Sequence, residues 1–572
     1  MRQYRAQALL AAALLLALRA NAHGDDHGDM DMGMDHDHKD TMSKPEEDWE
    51  LSYFAAGEHT GTIMAHIVLE TVAWCFVLPV AVMLSVAHSR YTIPTQFVFL
   101  IVNGVGMFFG FVYNASTPDR YENNAHHKIG WIASSVVVAQ VIMGLIYVYS
   151  KPRDSSSAQY ERASFLPVSS QNMREHDESY PSGAVHQYRW SGDSGHGTSR
   201  PTTPTTPDHE QDRFVKPEED LEDVDDHSEE QTPLARGFLR SKTLDRFFAK
   251  RIPGLVSSSV LRILRIVYNV IDWIILPFGF IALATGGVTY GGVFKGSGIF
   301  SGLAHFIKGG IFFWYGLVVL GRYMGCFAKY GWAWNLKPGK SRAPSGEFVE
   351  SAAIFTYGAS NVFLEHLGGW GKEWTAQDLE HVSIAVMFFG AGLCGMLVES
   401  KRVRDWFNRN ILGSTRSYRS EEDESSNVSF NPMPALIIFL LGIMMGGHKQ
   451  KQMVSTMVHK QWGSLLAGAA MARGVTYVLT YLKPPTSCLP SRPPSELVGA
   501  FCLISGGLIF MFSASDIMDV MVWYDLDAMF TFNIAVGLSA FIMAWEIVVI
   551  AVKAWAEKRE SFRRHARAWS AP

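Results

Sequence analysis

Cysteine is scarce in this chain, with five residues in 572, and so is charge, at 18%. Cys75, Cys326, Cys394, Cys488 and Cys502 form no CxxC pair, and none falls in a segment expected outside the cytosol. A disulfide framework, a thiolate metal site and a redox dithiol are therefore excluded. Serine-hydrolase, phosphate-loop and dinucleotide signatures are also missing. Gly287–Gly298 lies between apolar blocks without a flanking strand, so it reads as a turn. No feature suits nucleic acid as a partner. The amphipathic periodicity of a soluble protein is absent too, and solid apolar blocks of about twenty residues stand in its place.

Those blocks predict an all-α fold, a polytopic membrane helical bundle of about eleven crossings. They lie near 60–86, 94–114, 127–149, 266–289, 302–322, 347–368, 381–399, 433–447, 460–482, 497–515 and 529–553. Small residues inside them, such as Gly104, Gly106, Gly110, Gly506 and Gly507, suit close helix packing rather than phosphate binding. Ahead of them, Arg2 and Arg5 precede the apolar run Ala8–Leu18 and the small residues Ala20-Asn21-Ala22. This is the pattern of a cleaved signal peptide over 1–22, the other reading being a short uncleaved anchor.

Positive charge gathers at Lys151 and Arg153, Arg322 to Arg342, Lys401 to Arg419 and Lys558 to Arg567. An outside or luminal N-terminus places all of these in the cytosol, as the positive-inside rule requires. The acceptor sequence Asn114-Ala115-Ser116 then falls on the luminal side and Asn427-Val428-Ser429 on the cytosolic side. The expected home is an integral membrane of the secretory pathway, the plasma membrane or the vacuole.

Residues 151–250 are rich in Ser, Thr, Pro, Gln and acid, with a run at Glu218–Glu230. Such a composition predicts a disordered cytosolic linker, a place for cytosolic partners or phosphorylation, or a plain spacer. It separates a three-helix domain, 59–150, from an eight-helix domain, 251–556. The basic tail 557–572 follows, a positive-inside flank that also suits anionic lipid.

Histidines carry the chemistry. His59, His66, His126, His127, His305, the dipeptides Glu365-His366 and Glu380-His381, His448 and His459 all fall at the luminal ends of expected helices. Imidazole is tolerated at an interface, but ionisable groups at membrane depth usually face a bundle interior or a wet cavity. Glu365, His366, Glu380, His381, His448 and His459 supply the nitrogen and oxygen ligands that suit Zn²⁺ or another borderline ion. Their carboxylates equally suit orienting the imidazoles or relaying protons. The leader 23–58 adds His23, His27, His36 and His38 among Asp and Met, a mixture suited to Cu or Zn ions, or simply a solvated acidic arm. Glu70, Arg473 and Glu546 are isolated charges within apolar blocks.

Two resemblances follow from particular residues. His66, Ala73-Trp74 and Leu78-Pro79, with His127, Gly130, Gln140 and Gly144, resemble the first and third core helices of the cytochrome b-561 type membrane domain. That resemblance implies a haem b held by His66 and His127, with both axial positions filled and electron transfer as its use. The family has four haem histidines and block 94–114 has none, so at most one haem is implied.

The stretch Glu380-His381-Val382-Ser383-Ile384 to Glu399-Ser400, with Met444-Met445-Gly446-Gly447-His448 and Val458-His459-Lys460-Gln461-Trp462-Gly463, resembles the C-terminal domain of the fungal Ytp-type transmembrane proteins. Thr117-Pro118-Asp119-Arg120-Tyr121 and His126-His127-Lys128-Ile129-Gly130-Trp131 resemble the N-terminal domain of the same family. Three functions stay open: a haem electron carrier or metalloreductase, a metal-ion transporter or sensor, and a non-catalytic membrane scaffold.

Overall fold

The computed structural model describes residues 52–149, 258–296, 298–338, 343–364, 371, 373–412, 428–448, 450 and 452–569. The expected signal peptide, the leader histidines His23, His27, His36 and His38, the linker 151–250, and Glu365 and His366 lie outside the described residues. The chain divides into two compact units, residues 1–144 with 262–572, and residues 145–261. The sites below belong to the first.

All regular elements among the described residues are helical. In chain order they are α1 (Thr60–Val86), α2 (Thr92–Ser116), α3 (Ala125–Tyr149), α4 (Ser258–Gly291), α5 (Gly298–Met324) and α6 (Gly346–Leu364). There follow α7 (Ala376–Glu399), α8 (Lys401–Leu412), α9 (Met433–Gly447), α10 (Met453–Leu482), α11 (Pro494–Phe512), α12 (Ser515–Trp523) and α13 (Ala528–Trp569).

Nine helices among the described residues are long and apolar enough to cross a membrane: α1 to α5, α7, α10, α11 and α13. At the places of the sixth and eighth expected crossings stand α6, which carries two glutamates in its first turns, and α9, with 15 residues. At 1.5 Å per residue α9 is about 22 Å long, short of a 30 Å hydrocarbon core. The all-α polytopic bundle is thus observed.

Helix α11 is the hub. Of its most apolar stretch 78% is buried, against 22–50% for the other crossings, whose outward faces carry side chains such as Trp273 and Phe541. The hub packs on α5 and α10, while α6 packs on α7 and α9 on α10. Apolar side chains gain nothing by leaving lipid, so these contacts depend on backbones approaching closely. A methyl at Gly309 of α5 would stand 2.6 Å from the Gly507 carbonyl oxygen of α11. Gly442 and Gly463 bring α9 and α10 together in the same way.

Chain order separates three helices from the rest, but space does not. Helix α4, beyond the linker, hydrogen-bonds to all three helices before it, through Ser85–Asp272, Gln96–Tyr268 and His126–Ala282. Helix α13 packs on α1, where the Trp545 indole donates to the Cys75 carbonyl at 2.8 Å.

Candidate functional site

The helices alternate in direction, so the starts of α1, α3, α5 and α10 lie at one end of the bundle with the finish of α4. We call this the imidazole end. On α1, the His66 Nδ1 lies 2.9 Å from the Gly106 carbonyl oxygen of α2. On α3, the His126 Nδ1 lies 3.0 Å from the Ala282 carbonyl oxygen of α4. Their ring centres are 6.0 Å apart at an interplanar angle of 71°. Glycines let the rings in: a methyl at Gly110 would stand 2.7 Å from the His66 Nδ1, and one at Gly286 3.0 Å from the His126 ring.

A second pair repeats the pattern. The His305 Nδ1 is 2.8 Å from the Ser301 carbonyl oxygen, and the His459 Nδ1 is 2.8 Å from that of Ser455. Their ring centres are 6.5 Å apart, at 86°. Below them Trp462 and Phe510 stack at 4.0 Å, with Phe510 5.8 Å from His305 and Trp462 5.7 Å from His459.

A carbonyl oxygen can only accept, so each of these four Nδ1 atoms is the donor. In the neutral ring Nε2 is then left with its lone pair, the state a metal ligand requires. With metal–nitrogen distances of ~2.0–2.1 Å, two imidazoles sharing an ion hold their ring centres about 5–6.5 Å apart. Both pairs have that separation.

The expected site residues are partly brought together. Glu380 Oε2 lies 3.9 Å from His448 Nδ1. His448 is within electrostatic reach of His459, and His381 and Lys308 are within reach of His305. No group of three or more His, Cys, Asp or Glu among the described residues is arranged to hold a metal ion.

His66 and His127 are not brought together. The imidazole that faces His66 is His126, because one residue turns a helix by about 100°. His127 is exposed and accepts the Trp131 indole N–H on its Nε2 at 3.3 Å.

The opposite end of the bundle carries an ionic ladder of which the sequence reading isolated only Arg473. Arg322 Nη1 meets Glu350 Oε1 at 2.6 Å, and Arg473 Nη1 meets the same oxygen at 3.2 Å. Arg473 Nε meets Glu496 Oε1 at 2.7 Å. Both guanidinium groups lie over Trp334, at 4.5 and 5.6 Å. Glu347 and Glu350 are three residues apart at the start of α6 and therefore share a face, the signal that would have exposed them. The ladder ties α5, α6, α10 and α11 together, with each arginine bonded to at least one carboxylate. It works as a bracket between these four helices.

Residues 278–554 match the family model described as Protein YTP1-like, C-terminal, and residues 47–150 match a domain of unknown function, DUF2427. An uncharacterized membrane protein of Schizosaccharomyces pombe is 36% identical over 509 residues, covering 87% of this chain and 94% of that one. An uncharacterized membrane protein of Saccharomyces cerevisiae is 42% identical over 307 residues, 51% of this chain and 48% of its own length. Protein YTP1 of the same yeast is 22% identical over 264 residues, 46% of this chain and 49% of its own. No solved structure matches.

Proposed function

This chain belongs to the YTP1-like family of membrane proteins, and we propose that it is a metal-ion transporter or sensor that binds Zn²⁺ or Cu at the imidazole end. The observation that carries this reading is the repeated pair of imidazoles. Four rings, on four helices, each spend Nδ1 on a backbone carbonyl and keep Nε2 for a ligand. Glu380 and His448 stand near the second pair as a source of further ligands or as orienting groups. The imidazole end faces the lumen or the outside in this reading. The His/Asp/Met leader then collects ions at its mouth.

A haem b on His66 and His127 is not supported by the geometry. The His127 ring is exposed, and its Nε2 is engaged by Trp131. His126 would have to take its place, and a bis-imidazole haem there would carry one electron. Both imidazole pairs lie at the same end, so neither carries an electron across the remaining hydrocarbon, about 30 Å thick.

Metal analysis of the purified full-length protein tests the proposal. Wild type is expected to retain Zn or Cu after desalting, and His305→Ala/His459→Ala to lose at least half of it. Equal metal in both would leave the scaffold reading in possession.

A further inference from the structure

Helices α1–α4 contain a second polar feature that ion binding does not use. One turn beyond His66 lies Glu70, 9% exposed, whose Oε2 accepts the Trp74 indole N–H at 3.0 Å. The same N–H is 2.9 Å from Asn103 Oδ1, and Asn103 Nδ2 donates to Ser134 Oγ at 3.1 Å. Nearer the opposite end, Asp272 accepts from Ser85 Oγ at 2.7 Å and from Gln140 Nε2 at 2.6 Å. Beside it, the Tyr268 hydroxyl accepts from Gln96 Nε2 at 3.0 Å and lies 3.2 Å from Ser85 Oγ.

Neither acid has a basic partner among the described residues. Three buried acceptor atoms on this strip, Glu70 Oε1, Gln96 Oε1 and Gln140 Oε1, have no donor among the described residues, although Gln96 and Gln140 are only 2% and 1% exposed. Buried acceptors are normally satisfied, by ordered water where no protein donor reaches them, so the strip offers three positions at which water can bind along one face.

From His66 to Ser85 is about 28 Å at 1.5 Å per residue, close to the thickness of the hydrocarbon core. Helical spacing keeps the strip on one face of each helix: Asn103, Phe99 and Gln96 on α2, and Asp272, Ile275 and Ala282 on α4. Between the two polar nodes every helix buries an apolar side chain. Leu78 is 1% exposed, and Phe99, Val137 and Ile275 are 0% exposed. The Phe99 ring lies edge-on to Trp74, with centroids 5.1 Å apart.

We infer that α1–α4 form a gated proton pathway, with Glu70 and Asp272 as its two protonatable stations and the Leu78–Phe99–Val137–Ile275 layer as its closed plug. A proton held as an O–H on Glu70 passes to the Asp272 carboxylate when the plug opens to water. The O–H bond at Glu70 breaks as one at Asp272 forms, and no redox partner is needed. His66 and His126 stand at one mouth, and Tyr268, the titratable neighbour of Asp272, stands near the other. The pathway does not rest on an ion at the imidazole pairs.

Full-length protein in phosphatidylcholine vesicles with a trapped pH dye and a potassium-diffusion potential tests this. Phe99→Ala is expected to raise proton influx at least tenfold over wild type, with sodium influx unchanged. Adding Glu70→Gln or Asp272→Asn to Phe99→Ala is expected to return influx to the wild-type level. Influx that ignores Phe99→Ala, survives loss of either carboxylate or is matched by sodium overturns the inference. Val137→Ala serves the same test if Phe99→Ala fails to fold. Metal content measured on the same samples separates this result from the fate of the ion-binding reading.

Discussion

Helices α1–α4 and the ladder that joins α5, α6, α10 and α11 both bury acids, and they treat them in opposite ways. Around α11, Glu350 and Glu496 are each bonded to an arginine, and the arginines are shared across four helices. In α1–α4, Glu70 and Asp272 are held by indole, hydroxyl and amide groups alone. A buried ion pair cancels its own field and behaves as a fastener, whereas an unpaired acid at membrane depth is costly and marks a pathway or site. The difference teaches where to look for movement. The ladder is the frame, while the imidazole pairs and the acids of α1–α4 are the parts with chemistry still to do.

Arg473→Leu attacks the frame and should have the largest effect. It leaves Glu350 and Glu496 without that guanidinium, a loss of about 3–5 kcal/mol that thermal unfolding in detergent would show as a collapse of the folded fraction. Trp74→Phe should do less. It strips the shared donor from Glu70 and Asn103, for about 1–3 kcal/mol. Glu70→Gln should do least, because an amide oxygen still accepts from Trp74 and no counter-charge is abandoned. Stability within about 1 kcal/mol of wild type is expected. A Glu70→Gln protein as unstable as Arg473→Leu would erase the distinction between fastener and station.

The membrane class and the helix positions were legible because apolar blocks are local features that need no knowledge of the fold. The gathering of histidines at helix ends was legible for the same reason. Their pairing was not. His126 and His127 are neighbours in sequence, and only the rotation of α3 against α1 and α4 decides which one faces His66. His305 and His459 are 154 positions apart, and the packing of α5 and α10 around α11 decides their meeting. Asp272 is a single charge inside an apolar block, visible in the sequence but without meaning until Ser85 and Gln140 are seen beside it. The place of α4 among the first three helices was hidden by the linker, since a contact across more than a hundred residues leaves no local trace.

A metal titration of the purified protein followed by elemental analysis addresses the imidazole pairs themselves. The account predicts two Zn²⁺ or Cu equivalents per chain in wild type. One should be lost in His66→Ala/His126→Ala and the other in His305→Ala/His459→Ala, with His127→Ala unchanged. Retention of both equivalents in the two double variants would contradict it.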